Sequence, residues 1–158
     1  MKPIKQQIEL TKEGLDELQT ELTELVEHKL PATIVRVTKA REHGDLSENA
    51  EYHSARDDQQ LLQSRIDELQ DIVSKAKVIK QTRSNSKVGI GSVVIVSKVG
   101  TKKEITLKIV GEFEANPKEG KVSNASPMGN SLMGKKKGDN IVVKAPAGNI
   151  EYEIKKIN

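Results

Sequence analysis

AREHGDLSENAEY, residues 40–52, interrupts two long amphipathic patterns, and that interruption decides the fold. Upstream, Thr11 reads as a helix N-cap, with Glu13, Asp16 and Glu17 near the positive end of the helix it opens. Leu15, Leu18, Leu22 and Leu25 follow at the 3-4-3 spacing of a coiled-coil seam. After Leu25 the stripe drifts to Val26, Leu30, Ile34 and Val37, a stutter-like extra step with Pro31 inside it. The pattern resumes at once, so a kink is expected at Pro31 rather than a helix end. Downstream of the break, Ala55, Leu62, Ile66, Leu69, Val73 and Ala76 form a second stripe. Two helices of roughly 28–31 residues joined by a few residues predict an antiparallel helical hairpin about 40–45 Å long.

Beyond residue 80 the pattern changes. Residues 81–91 (QTRSNSKVGIG) are polar and contain Gly and Ser, which suggests a linker. Period-two alternation then predicts strands at 92–98, 104–110, 140–144 and 150–156. Turns are expected at Gly100-Thr101, at residues 116–120 and at residues 147–149. Ser126 followed by Pro127, with Gly134 as a stop, predicts one short helix over 127–133. The fold class is α+β: a helical hairpin over 1–80, a linker over 81–91, and a small sheet domain with one short helix over 92–158.

Composition agrees. Of 158 residues, 31% are charged and only 35% apolar, with Phe113, Tyr52 and Tyr152 the only aromatics, so one large globular core is not expected. The absence of cysteine excludes disulfides and thiolate metal sites. No apolar run approaches the roughly 20 residues of a membrane span, and a soluble, cytoplasmic protein is expected. Residues 1–80 carry 12 Lys/Arg against 16 Asp/Glu, a balance of −4, and residues 81–158 carry 14 against 7, a balance of +7. This asymmetry suggests two modules with different partners.

The break itself supports two readings. Asp45 could cap the second helix with Glu48 at N3, a relative of the capping box. Alternatively, the same two carboxylates project from the end of the hairpin and bind Mg²⁺, which prefers hard oxygen ligands. Two carboxylates cannot complete an octahedral site, so the remaining ligands would come from a partner. From spacing alone the cap is the stronger reading. His43 and His53 lack a third metal-ligand partner and read as surface histidines. Arg41 and Arg56 flank the break on opposite arms. They pair either with Glu51 or Asp45, or with a nucleic-acid phosphate. Tyr52 reads as packing across the hairpin.

AREHGDLSENAEYHSAR, residues 40–56, closely resembles the hairpin tip of bacterial transcript-cleavage factors of the GreA/GreB type. The resemblance extends to residues 10–15 (LTKEGL), 110–115 (VGEFEA), 126–129 (SPMG), 132–135 (LMGK) and 138–139 (GD). The acidic first half, without a basic stripe along the hairpin, fits the GreA branch better than the GreB branch. The resemblance implies a monomeric elongation factor that binds bacterial RNA polymerase. Its coiled coil would enter the secondary channel, and its tip would stimulate the polymerase's own hydrolysis of backtracked RNA. It further implies that Asp45 and Glu48 share a Mg²⁺ with the polymerase, that Arg41 and Arg56 lie near the RNA 3′ end, and that the second domain is FKBP-like and contacts the channel rim. Such a factor is not itself an enzyme.

Two other readings compete with it. A prolyl isomerase would need an aromatic-lined pocket, which Phe113 and Tyr152 alone do not furnish. A binding-only factor would use Asp45 and Glu48 merely as caps.

Overall fold

The computed structural model describes residues 7–42, 46, 48–79, 86–101, 103–145 and 148–158. Asp45 and His43 lie outside these, so the expectations placed on them do too. Two compact units emerge: Leu15–Ala76, and Gln7–Gly14 together with Lys77–Asn158.

Helix α1 (Lys12–Glu24), whose residues from Leu15 belong to the first unit, runs through a π-helical turn (Leu25–Lys29) into α2 (Leu30–Arg41), and α3 (Ala50–Lys75) packs back against α2 and the π turn. The π turn is where the stutter was expected. The Leu30 N–H reaches back five residues to the Leu25 carbonyl, and Pro31 follows in the first turn of α2. The widened turn before it relieves the clash of its ring with the preceding turn. The chain therefore stays helical through Pro31.

The π turn also corrects the expected seam. A five-residue step from Leu25 to Leu30 resumes the stripe at Leu30, Thr33, Val37 and Ala40, which are buried or half-buried, and leaves Val26 and Ile34 exposed. On α3 the buried face is Tyr52, Ala55, Ile66, Leu69 and Ile72, so Ile72 replaces Val73 in the seam. Ala76 stands beyond the helix, at the start of a strand.

The second unit is built on a five-stranded sheet of order β5-β4-β3-β7-β6. Its strands are β3 (Val93–Lys98), β4 (Glu104–Val110), β5 (Lys121–Ser123), β6 (Asn140–Ala145) and β7 (Gly148–Ile157). All neighbours are antiparallel except β4 and β5. Val94, Val96, Leu107, Ile109, Ile141, Ile154 and Ile157 form the core with Leu132 of helix α4 (Pro127–Leu132).

Ile154 and Ile157 are three apart, yet both face this core. A bulge makes that possible: Val96 pairs with Ile154 and Ile95 with Lys156, so Lys155 is the extra residue that switches the face. Ser126 caps α4 as expected, accepting from the Gly129 N–H at 3.0 Å. Within the stretch expected as a linker, Val88 and Ile90 are buried, and the Val88 N–H donates to the Lys135 carbonyl at 2.8 Å.

A second, two-stranded sheet was not foreseen. It pairs β1 (Ile8–Leu10) with β2 (Ala76–Val78). Both strands are three residues long, too short for periodicity to register.

Candidate functional site

Every helix leaves N–H groups without partners at its start and carbonyls without partners at its end. At the tip, one side chain serves both. Asn49, in extended conformation, accepts the Tyr52 N–H on its Oδ1 at 3.0 Å, and its Nδ2 donates to the Ala40 carbonyl in the last turn of α2 at 2.8 Å. Asn49 is thus the N-cap of α3, and its amide spans the two arms.

This corrects the cap reading. Helix α3 begins at Ala50, so Glu48 precedes the cap rather than occupying N3, and the capping role falls to an amide instead of a carboxylate. Glu48 is exposed, and among the described residues its side chain has no hydrogen bond or ion pair. It is the kind of carboxylate that local structure does not consume.

Behind the cap, Tyr52 is buried, 7% exposed, as the packing reading expected. The His53 ring stands edge-on to it, with centroids 5.7 Å apart. The Tyr52 hydroxyl accepts from Arg56 Nη1 at 3.2 Å. That hydrogen bond and the Arg56 charge, with a smaller effect of Arg41 on the same oxygen, hold the phenol below its ordinary pKa. Of the two arginines flanking the break, Arg56 is the one bonded to this oxygen.

Glu51 is not their partner. Its carboxylate takes Arg36 Nε at 2.7 Å, which lowers its pKa. Arg36 also reaches Asp58 at 2.5 Å. Farther along the hairpin Arg65 bridges to Glu21 at 2.9 Å and Glu68 at 2.7 Å. The bridges to Glu51, Asp58 and Glu21 link the two arms through exposed side chains, while that to Glu68 lies within α3.

Among the described residues no cluster of three His, Asp or Glu side chains is placed to hold a metal. The donor chemistry at the tip still fits a hard cation: Glu48 offers an unengaged oxygen ligand, and Asp45 is three residues away in sequence. No helix of the described residues is long and apolar enough to cross a membrane.

Two family models cover almost the whole chain. "Transcription elongation factor, N-terminal" matches residues 8–78, and "Transcription elongation factor, GreA/GreB, C-term" matches residues 83–158. Among similar proteins, transcription elongation factor GreA of Rhodospirillum rubrum is 45% identical over 94% of this chain and 96% of its own length. The same factor of Hyphomonas neptunium is 45% identical over 96% of this chain and 98% of its own. That of Thioalkalivibrio sulfidiphilus is 46% identical over 92% and 93%.

Proposed function

Because the chain belongs to the GreA/GreB family of transcription elongation factors, we propose that it acts on bacterial RNA polymerase by stimulating cleavage of backtracked RNA. The hairpin enters the secondary channel, and Asp45 and Glu48 reach the polymerase's active centre. The observation that carries this reading is the placement of the cap. Asn49 secures α3, which leaves Glu48 outside the helix, exposed and unengaged among the described residues. An acid needed only to start a helix would stand at the cap or within the first turn.

Asp45 and Glu48 would hold a Mg²⁺ shared with the polymerase, whose other ligands the polymerase supplies. When bound, the ion stabilises the attacking and leaving oxygens of an in-line displacement at phosphorus. The chain's own contribution is to bring two carboxylate oxygens to that centre and to present Arg41 and Arg56 to the RNA. The isomerase reading finds no support: Phe113 is exposed and Tyr152 is taken up by packing on the sheet core.

The test is transcript cleavage by a stalled, backtracked polymerase across a Mg²⁺ titration. Asp45→Asn leaves the Asn49 cap in place, so the variant is expected to fold and bind polymerase but to lose cleavage. Full cleavage by Asp45→Asn would sink the metal role. The isolated protein is expected to bind Mg²⁺ weakly and to show no nuclease activity.

A further inference from the structure

Residues 41–48, which carry both tip acids, run between Ala40 and Asn49. The ends of this stretch are joined, because Asn49 Nδ2 donates to the Ala40 carbonyl at 2.8 Å. Only one orientation of the amide satisfies both neighbours: the Tyr52 N–H needs an acceptor and the Ala40 carbonyl needs a donor. Ala40 is buried, at 2% exposure, so the bond is anchored on the packed part of α2. One side chain thus fixes the start of α3 against the last turn of α2.

A second contact crosses the arms just beyond it. Arg36 of α2 donates to Glu51, in the first turn of α3, at 2.7 Å. Both of those side chains are exposed, and such a pair holds weakly in water. The part-buried amide bond is the firmer of the two.

Capping alone does not call for asparagine. Asn, Asp and Ser cap a helix about equally well, since each offers an oxygen to an orphan N–H. Of the three, only the amide carries a donor on a separate atom, free to reach the other arm. Glu48 is the residue next to Asn49, and the peptide link holds their Cα atoms about 3.8 Å apart. The Glu48 side chain takes no hydrogen bond or ion pair among the described residues, so its reach is set by where its backbone is held. A reacting group displaced by about 1 Å can lose about a hundredfold in rate.

We infer that Asn49 is a positioning residue for Glu48: by tying the start of α3 to the end of α2, its amide holds the Glu48 backbone where the carboxylate serves cleavage. The inference rests on the cleavage reading proposed above and names the residue that places one of its acids.

Asn49→Ser keeps a cap oxygen for the Tyr52 N–H and is too short to reach Ala40 as well. With backtracked polymerase its saturating cleavage rate should fall about tenfold, at an unchanged half-saturating factor concentration. The Mg²⁺ concentration that gives half the maximal rate should rise, a shift that a bond serving only the fold would not produce. Asn49→Asp, which also has a cap oxygen and no donor, should reproduce both changes. In a Glu48→Gln background Asn49→Ser should bring no further loss, because it acts through that carboxylate. Wild-type rate and Mg²⁺ dependence in both Asn49 variants overturn the inference, and so does an undiminished loss on top of Glu48→Gln. If Glu48→Gln itself cleaves like wild type, the proposed role of Glu48 falls and takes the inference with it. A loss in Glu48→Gln with none in the Asn49 variants overturns the inference alone.

Discussion

Helices α1 and α3 both start on a polar cap, but they use acids in opposite ways. At α1 the Thr11 hydroxyl accepts the Gly14 N–H at 3.0 Å and donates to the Glu114 carboxylate, while the Thr11 N–H donates to the other Glu114 oxygen at 2.7 Å. Residues 7–14 belong to the same compact unit as Glu114, so this contact is internal to that unit. Both residues are buried, Thr11 to 3% exposure and Glu114 to 9%. At α3 the cap is the Asn49 amide, and the acid beside it, Glu48, is exposed and takes no hydrogen bond or ion pair among the described residues. A carboxylate inside the capping network is spent on the fold. One that precedes a finished cap is free for chemistry.

Removing the buried acid should have the largest effect on stability. Glu114→Ala leaves the Thr11 N–H and hydroxyl without acceptors in a buried place, a loss of about 3 kcal/mol. A thermal melt should show it clearly. Gly14→Ala should act on the same contact, because a Cβ there would lie 2.0 Å from the Glu114 carboxyl carbon, and overpacking of this kind costs about 2 kcal/mol. Glu48→Gln should change stability by less than about 0.5 kcal/mol while lowering transcript cleavage. If Glu114→Ala melts like wild type, or Glu48→Gln melts early, the contrast between spent and free acids is broken.

The same contrast marks how far sequence reasoning reached. The two stripes, the period-two strands and the caps at Thr11 and Ser126 were legible because each depends on residues within one or two turns. Asp45-Leu46-Ser47-Glu48 mimicked a capping box because spacing alone cannot tell which of several polar residues ends a loop. Asn49 was the better cap, and only its second bond, to Ala40 nine residues back, distinguishes it. Glu114 was invisible as a cap because its partner Thr11 is 103 residues away. The seam beyond Leu25 was misread because the π turn absorbs the extra step within one helix. The bulge at Lys155 hid the burial of Ile157 in the same way, by changing a face through one added residue. Of the expected site residues, Glu48, Arg41 and Arg56 fall within the described residues. The bond from Arg56 to the Tyr52 hydroxyl joins residues one turn apart on α3, a pairing the apolar stripe does not single out.

A smaller effect should come from the amide cap. Asn49→Ala removes both the cap of α3 and the bond to Ala40, and should cost about 1–2 kcal/mol. Asn49→Asp keeps an acceptor for the Tyr52 N–H but loses the donor to Ala40. If it is as damaging as Ala, the bond between the arms outweighs the cap. If it is nearly harmless, the cap is what matters. Either result ranks the two halves of the side chain, which the thermal midpoints of the three proteins would read directly.

The smallest effects belong to the exposed ion pairs beside each helix start. Glu13, in the first turn of α1, pairs with Lys108, and Glu51, in the first turn of α3, pairs with Arg36. The Lys108 ammonium and the Arg36 guanidinium each donate a hydrogen bond that holds the partner carboxylate below its usual pKa. A carboxyl group with a lower pKa folded than unfolded stabilises the protein above the unfolded value. That contribution is lost as pH falls through the folded value. Stability should therefore decline on acidification below the ordinary carboxylate range, and Lys108→Met should flatten part of the decline while changing nothing at a pH where Glu13 is already protonated. With the Glu13 side chain 65% exposed, solvent and salt screen the pair, so the effect at neutral pH is at most a few tenths of a kcal/mol. Arg36→Gln should flatten the part of the decline that Glu51 contributes. Equal losses in the two variants would mean that the two pairs contribute alike. The acids beside the two caps would then be energetically alike, and the difference between the helix starts would lie wholly in Glu114 and Asn49.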